Sequence, residues 1–181
     1  FNFIPTSLDG LYKIERKLIE DSRGFLSRIF CSVDFQQIGF TKPIVQMNHT
    51  LTYNQGVIRG MHYQKYPHKE AKIVTCIHGE IFDVVVDIRN NSLTYGKHFS
   101  IELSEENNKM FWIPAGFAHG FLSLEDDTIF TYKCTNGYHK EAEGSLLWSD
   151  PDLNIDWGVE SPLVSKKDMT AISFKNFKSD F

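Results

Sequence analysis

From residue 72 to residue 136 the chain is a succession of short β-branched and aromatic runs, each ended by a turn signal. This spacing constrains the fold more than any other feature. "KIVTCIHGEIFDVVVDIR" (72–89) breaks at His78-Gly79 and predicts two strands around a turn. "HFSIELS" (98–104) alternates apolar and polar residues until "EENNK" ends it. "KMFWIPAGFAHGFLSLE" (109–125) is broken by Pro114 and Gly116, giving strand, turn, strand, and "DDTIFTYKCTN" (126–136) adds another strand after an acidic turn. Short strands at this interval predict an all-β sandwich or antiparallel barrel, with residues 45–135 as its bulk. Helical signals are few. "SVDFQQIGF" (32–40), with Ser32 as N-cap and Gly39 as stop, predicts about two turns. "SPLVSKKDMTAI" (161–172) predicts another short helix.

Length and composition narrow the class. At 181 residues the chain is one domain's worth, and 41% hydrophobic residues with 15 Phe supply a core. The net charge of −4, without a basic run, argues against nucleic acid as the partner, while leaving room for a local basic pocket that holds a small anion. Three widely spaced cysteines, Cys31, Cys76 and Cys134, predict reduced thiols and a cytoplasmic setting. No apolar run approaches the ~20 residues a membrane span requires. The segment "FNFIPTSLDG" lacks the basic flank and longer apolar core of a secretion signal. No membrane partner is expected.

"GVIRGMHYQ" (56–64) is the stretch that asks for chemistry. It begins as a strand, yet places Arg59 and His62 among small and apolar residues. Strict alternation would set these two on opposite faces, so a bulge or bend at Gly60, or a strand end at Arg59, is expected. A lone histidine in an apolar run is ordinarily a hydrogen-bonded core residue. Two spaced patterns argue otherwise: glycine, five residues, then histidine (Gly56 to His62), and Pro114, Gly116, His119 in "PAGFAH".

These patterns resemble the paired motifs of the cupin superfamily, implying a cupin-type antiparallel β-barrel or jelly roll with a few short helices. In a metal-binding cupin the first motif supplies two histidines and a glutamate, and the second a further histidine. Here His62 and His119 are present, but Gln64 takes the second histidine position and Lys72 the glutamate position. Exchanging a carboxylate for an ammonium turns metal attraction into repulsion. A metal-free, cofactor-free site for an anion, or for negative charge developing in a reaction, is therefore expected.

A closer resemblance covers nearly the whole chain. "DSRGFLSRIF", "QMNH", "VIRGMHYQ", "AKIV", "GEIFDVVVDIR", "IPAGFAHGFLSL", "TYKCTNGY", "EGSLLWSDPDLNIDW" and "LVSKKD" follow one another over residues 21–168. In that order they resemble the dTDP-4-dehydrorhamnose 3,5-epimerase family of deoxysugar biosynthesis. The resemblance implies a nucleoside diphosphate 4-keto-6-deoxyhexose as substrate and a homodimer.

Epimerisation beside a ketone needs a base, a stabiliser for the enolate oxygen and an acid on the opposite face. His62 is the expected base, acting at Nε2, with Asp168 holding its tautomer as the resemblance implies. Lys72 is the expected enolate partner and Tyr132 the acid. Arg59 and His119 suit the diphosphate. Gln46 and Asn48, two apart on one strand face, suit the base or ribose, and Tyr138 offers a stacking face. The resemblance adds Arg23 and Phe25, reaching across the dimer interface to the nucleotide, and Glu143 and Lys167 as further substrate contacts. Without it, Asp168 reads equally as a helix N-terminal carboxylate, and Arg23 beside Asp21 as an exposed ion pair.

Two departures fall in the nucleotide-binding part of the pattern. Arg28 stands where family members often carry an acid, and the segment from Asn48 to Arg59 is one residue longer. Other readings on the same fold are a C3-only or C5-only epimerase, one using another nucleotide, a sugar-nucleotide 3,4-ketoisomerase, a metal-dependent cupin, and a non-catalytic sugar-binding cupin. A ketoisomerase tends to have histidine where this chain has Gln64. Lys72 and Gln64 also disfavour the metal-dependent cupin.

Overall fold

The computed structural model describes residues 1–181 and contains fourteen strands. They are β1 (Asn2–Pro5), β2 (Tyr12–Glu15), β3 (Leu18–Asp21), β4 (Gly24–Ser27), β5 (Gln46–Thr52), β6 (Val57–Gln64) and β7 (Lys72–His78). β8 (Glu80–Asp87), β9 (His98–Ser104), β10 (Lys109–Ile113), β11 (Phe117–Ser123), β12 (Thr128–Cys134), β13 (Glu143–Ser145) and β14 (Leu163–Val164) complete the set. One sheet runs β1-β2-β10-β7-β12-β5 and the other β13-β6-β11-β8-β9, with β14 pairing parallel to β6. Strands β3 and β4 form a separate hairpin. This is the expected cupin-type jelly roll. No helix is long and apolar enough to cross a membrane.

Apolar runs that do not alternate must be covered on both faces, and three clusters show how. Between the sheets, Val74, Cys76, Phe111 and Phe130 of the first pack with Ile81, Val85, Leu103 and Phe121 of the second. Behind the second sheet, Ile58, Met61, Val84, Val86 and Leu122 are covered by Leu146, Leu153, Trp157 and Phe177 from the C-terminal segment. Behind the first sheet, Ile14, Ile73, Met110 and Trp112 are covered by Phe35, Ile38 and Phe40. Strand β8 is thus sandwiched, which is why "VVVD" carries no period of two. Phe111 is fully enclosed; its truncation to alanine should cost about 3–5 kcal/mol.

The turns fall where the sequence signals them. Gly79 joins β7 to β8 at φ +74°, and a Cβ there would sit 2.7 Å from Thr128 Oγ1. The acidic turn 125–127 is exposed. Between residues 32 and 40 the expectation needs correcting: the segment is a 3₁₀ turn over Asp34–Ile38. Ser32 does not cap it; Val33 occupies that place and gives no side-chain bond to the first turn. Burial of Phe35 and Ile38, not capping, holds it. The C-terminal helix α1 is one turn, Lys166–Met169, started by Ser165, whose Oγ accepts from the Asp168 N–H.

Candidate active site

The site begins with a defect in the β6–β11 ladder. His62 pairs with His119 and Arg59 pairs with Phe121, so Gly60 and Met61 stand opposite the single residue Gly120. This is the expected bulge. Gly60 has φ +133°, and a Cβ on it would lie 2.5 Å from the Gly120 Cα. A Cβ on Gly120 would in turn meet Met61 Sδ at 2.7 Å and Arg59 O at 2.9 Å. Two glycines back to back let the strands close over the extra residue. Alternation changes phase there, and Arg59 and His62 both face one cavity.

That cavity has a volume of about 500 Å³. Arg59, His62, Lys72, His119, Tyr132, Lys167 and Asp168 line it, beside Phe121 and Phe130. A second cavity of about 320 Å³ shares His62, Lys72 and Tyr132 with it and adds Gln46, Asn48, Tyr138 and Glu143. His62 belongs to one sheet and Tyr132 to the other, so they reach the shared region from opposite walls.

Asp168 Oδ1 lies 2.7 Å from His62 Nε2. Burial pushes this carboxyl up, but the His62 hydrogen bond and charge, with Ser165 and the Gly60 amide, outweigh burial and hold it below its ordinary range. An ionised Asp168 accepts the Nε2 proton of a neutral imidazole, leaving the lone pair on Nδ1. The expected placement of the carboxylate therefore has to be corrected: α1 delivers it to the Nε2 edge of His62, not to the other ring nitrogen. Asp168 sits in a helical first turn and also partners the histidine, so its two sequence readings coexist.

His119 repeats the arrangement, with Nε2 2.8 Å from Oδ2 of the fully buried Asp83 on β8. Burial pushes the Asp83 carboxyl up, only partly countered by His119 and Lys72. Lys72 Nζ lies 3.1 Å from Glu70 Oε1. Burial pulls this ammonium down, yet the Glu70 carboxylate, with Cys134 and Tyr132, leaves its pKa raised. The Tyr132 phenol is also raised, by burial first, with Lys72 opposing.

At the mouth of the second cavity Glu143 bridges two neighbours. Lys167 Nζ donates to Oε1 at 2.5 Å and the Tyr138 hydroxyl donates to Oε2 at 3.1 Å. Gln46 and Asn48 share a face as expected, with Gln46 Nε2 donating to Asn48 Oδ1 at 3.2 Å. Arg59 Nε donates to Thr52 Oγ1 at 3.3 Å, and its guanidinium borders the larger cavity.

Arg23 and Phe25 lie apart from both cavities, on the β3–β4 hairpin. Arg23 is 87% exposed and paired with Asp21 at 2.5 Å. Arg28 pairs with Asp34 at 3.3 Å and lines a separate recess with Phe1, Lys17 and Ile19. It lines neither of the two cavities that hold His62.

The structure adds residues that the sequence reading passed over. Asp83 was discernible as an acid inside the apolar run "EIFDVVVD", where a lone carboxylate must find a partner. Glu70 carried no signal of its own, because its role depends on the β7 start folding beside it. Gln64 is buried and hydrogen-bonded to backbone groups of two loops. The four cupin ligand positions thus hold two histidines whose Nε2 atoms face aspartates, a committed amide and an ammonium. That donor set does not fit a divalent cation.

The fold and site define a cupin-type barrel whose usual metal positions hold two aspartate-paired histidines, a buried amide and an ammonium. The family model for dTDP-4-dehydrorhamnose 3,5-epimerase matches residues 5–176, and the chain belongs to that family. The dTDP-4-dehydrorhamnose 3,5-epimerase of Shigella flexneri is 44% identical over 174 residues, 96% of either chain. That of Methanothermobacter thermautotrophicus is 46% identical over 171 residues, 93% of this chain and 91% of its own. Among solved structures, the dTDP-6-deoxy-D-glucose-3,5-epimerase of Legionella pneumophila, in complex with dTDP-4-keto-L-rhamnose, superposes with a TM-score of 0.93. It is 41% identical, covering 98% of this chain and 94% of that one.

Proposed function

We propose that this protein is an isomerase that inverts C3 and C5 of a dTDP-4-keto-6-deoxyglucose, the whole of residues 1–181 acting as one cupin-type domain. The observation that carries the reading is the placement of His62 and Tyr132 on opposite walls of one cavity, with Lys72 lining it from the sheet that carries Tyr132. Inversion beside a ketone needs this disposition: one group takes a proton from one face of the sugar and another returns a proton to the other face.

In this reading His62 Nδ1 removes the proton α to the C4 ketone. Asp168 stabilises the imidazolium that forms. Lys72 takes the charge that develops on the ketone oxygen in a water-poor site, where such an interaction is worth most. Tyr132 delivers a proton to the opposite face, and proton exchange with water resets both groups. Arg59 and His119 hold the diphosphate, Gln46 and Asn48 the nucleoside, and Tyr138 stacks on the base, with Glu143 and Lys167 at the entrance. The residues themselves move every proton, so neither metal nor organic cofactor enters the scheme.

Homodimerisation belongs to the same proposal. The β3–β4 hairpin exposes Ile19, Phe25 and Leu26, and the edge strand β5 exposes Met47 and Leu51. Apolar side chains on a projecting hairpin and an uncovered sheet edge favour cover by a second copy, which would bring Arg23 and Phe25 to the partner's nucleotide. The free thiols of Cys31, Cys76 and Cys134 support a cytoplasmic setting.

Incubation with dTDP-4-keto-6-deoxyglucose in D₂O tests the reading. Deuterium at both C3 and C5 is the expected result. Label at one carbon alone would make this a mono-epimerase, and migration of the carbonyl would make it a ketoisomerase. Retained activity after exhaustive chelation is also expected; loss restored by one divalent ion would favour a metal-dependent cupin.

A further inference from the structure

Tyr138 lies between β12 and β13, outside every strand, and is 55% exposed. Little packing fixes its ring, yet a stacking face is useful only if it is held still. Its backbone is held from two strands. The Tyr138 N–H donates to Gln46 Oε1 at 2.9 Å. On either side, Gln64 grips the flanking peptides: its Nε2 donates to Gly137 O at 3.0 Å, and its Oε1 accepts from the His139 N–H at 2.7 Å. The same Nε2 also donates to His68 O at 3.2 Å, tying in the loop on which the His68 ring stacks against His139 at 3.5 Å. Gln64 is only 4% exposed, and both ends of its amide are used in this way.

We infer that Gln64 is a positioning residue for nucleobase recognition: its buried amide clamps the two peptide groups around Tyr138 and presets the ring for stacking. The position that gives a metal-binding cupin its second histidine here serves the opposite end of the substrate from the chemistry. An amide suits the task because it donates and accepts at once, and matches a carbonyl and an N–H two residues apart. Preorganisation of this kind raises affinity by removing the ordering cost from the binding step. The inference rests on the reading that Tyr138 stacks on the base.

The test is a double-mutant cycle read by equilibrium binding of dTDP, with inorganic pyrophosphate as a probe that lacks the base. Tyr138→Ala should weaken dTDP roughly 5- to 150-fold, the range for loss of one base–aromatic stack. Gln64→Ala should reproduce a large part of that loss. In the Tyr138→Ala background it should change dTDP affinity by less than about twofold, the scatter of independent sites. Pyrophosphate affinity should stay within the same factor. Gln64→Glu keeps size and the acceptor for His139 but removes both donations, and carries the test if the alanine variant does not fold. If Tyr138→Ala leaves dTDP affinity unchanged, the stacking reading fails. If Tyr138→Ala weakens dTDP while the Gln64 variants do not, or if they weaken it equally in both backgrounds, the clamp is overturned and stacking stands. A matching loss for pyrophosphate would also overturn it, as general disturbance of the site.

Discussion

His62 and His119 face each other across the β6–β11 ladder, and each presents Nε2 to an aspartate, Asp168 for one and Asp83 for the other. The two aspartates are shifted in opposite directions. Asp168 is held below the ordinary carboxyl range, whereas burial pushes Asp83 above it. A firmly ionised partner stabilises an imidazolium as it forms, which suits His62 to proton removal. Asp168→Asn should therefore lower kcat by ~10²–10⁴-fold while KM changes little, because the tautomer and the imidazolium lose their support. The Ser165 cap uses the Asp168 backbone, so α1 should persist. Steady-state kinetics beside thermal unfolding would check both halves, and an unchanged kcat would remove Asp168 from the mechanism.

Arg59 and Lys72 line the same cavity but should fail differently when truncated. The diphosphate is charged before and during reaction, so Arg59→Ala should raise KM with kcat nearly kept. Loss of one charge-assisted contact corresponds to roughly 10- to 150-fold in affinity. The ketone oxygen assigned to Lys72 gains its charge only as the enolate forms, whereas Glu70 beside the ammonium is charged throughout. Lys72→Ala should lower kcat by ~10²–10³-fold, the range for one lost oxyanion donor. Comparing both parameters for the two variants decides the assignment, and a pure KM effect in Lys72→Ala would return that residue to ground-state binding.

Gly60→Ala tests whether the bulge builds the site. The added methyl meets backbone at 2.5 Å, at a φ of +133° that L side chains rarely adopt. Strain and overpacking together should cost at least ~2 kcal/mol. If the strand escapes by losing the bulge, Arg59 and His62 return to opposite faces. Urea unfolding should show the lost stability, and the folded fraction should be deficient in both dTDP binding and turnover. Full activity in the variant would mean that the register change does not depend on glycine.

The sequence was legible where local chemistry decides structure. The stops at Gly79, Pro114 and Gly116 divide β7 from β8 and β10 from β11, and each works through the turn it permits. The bulge at Gly60 followed from a conflict between alternation and chemistry. The Asp34–Ile38 turn was less legible, because aromatic packing on Phe35 overrides a capping signal at Ser32. In the site, the pairing of Asp83 with His119, the edge of His62 that Asp168 approaches, and the Gln64 clamp all depend on side chains from different strands or loops. No period within a single strand encodes them.

The alkaline limb of the pH–rate profile is the last test, and its sign follows from two groups. Tyr132 must be protonated to act as the acid. Burial disfavours its phenolate more than Lys72 and Asn48 favour it, so its pKa is raised. Lys72 must be protonated to meet the enolate. Despite burial, Glu70 and the groups beside it leave that pKa raised as well. A raised pKa keeps the proton to higher pH, so both groups move the loss of activity upward. The fall in kcat/KM should therefore lie above ~10, the ordinary phenol value. Tyr132→Phe removes one contributor. Proton abstraction, followed as deuterium exchange into substrate, should remain measurable in that variant while net epimerisation falls, and its own alkaline limit should report Lys72. A limb below about 9 in the unmodified protein, or equal loss of exchange and epimerisation in Tyr132→Phe, would separate the phenol from the role of acid.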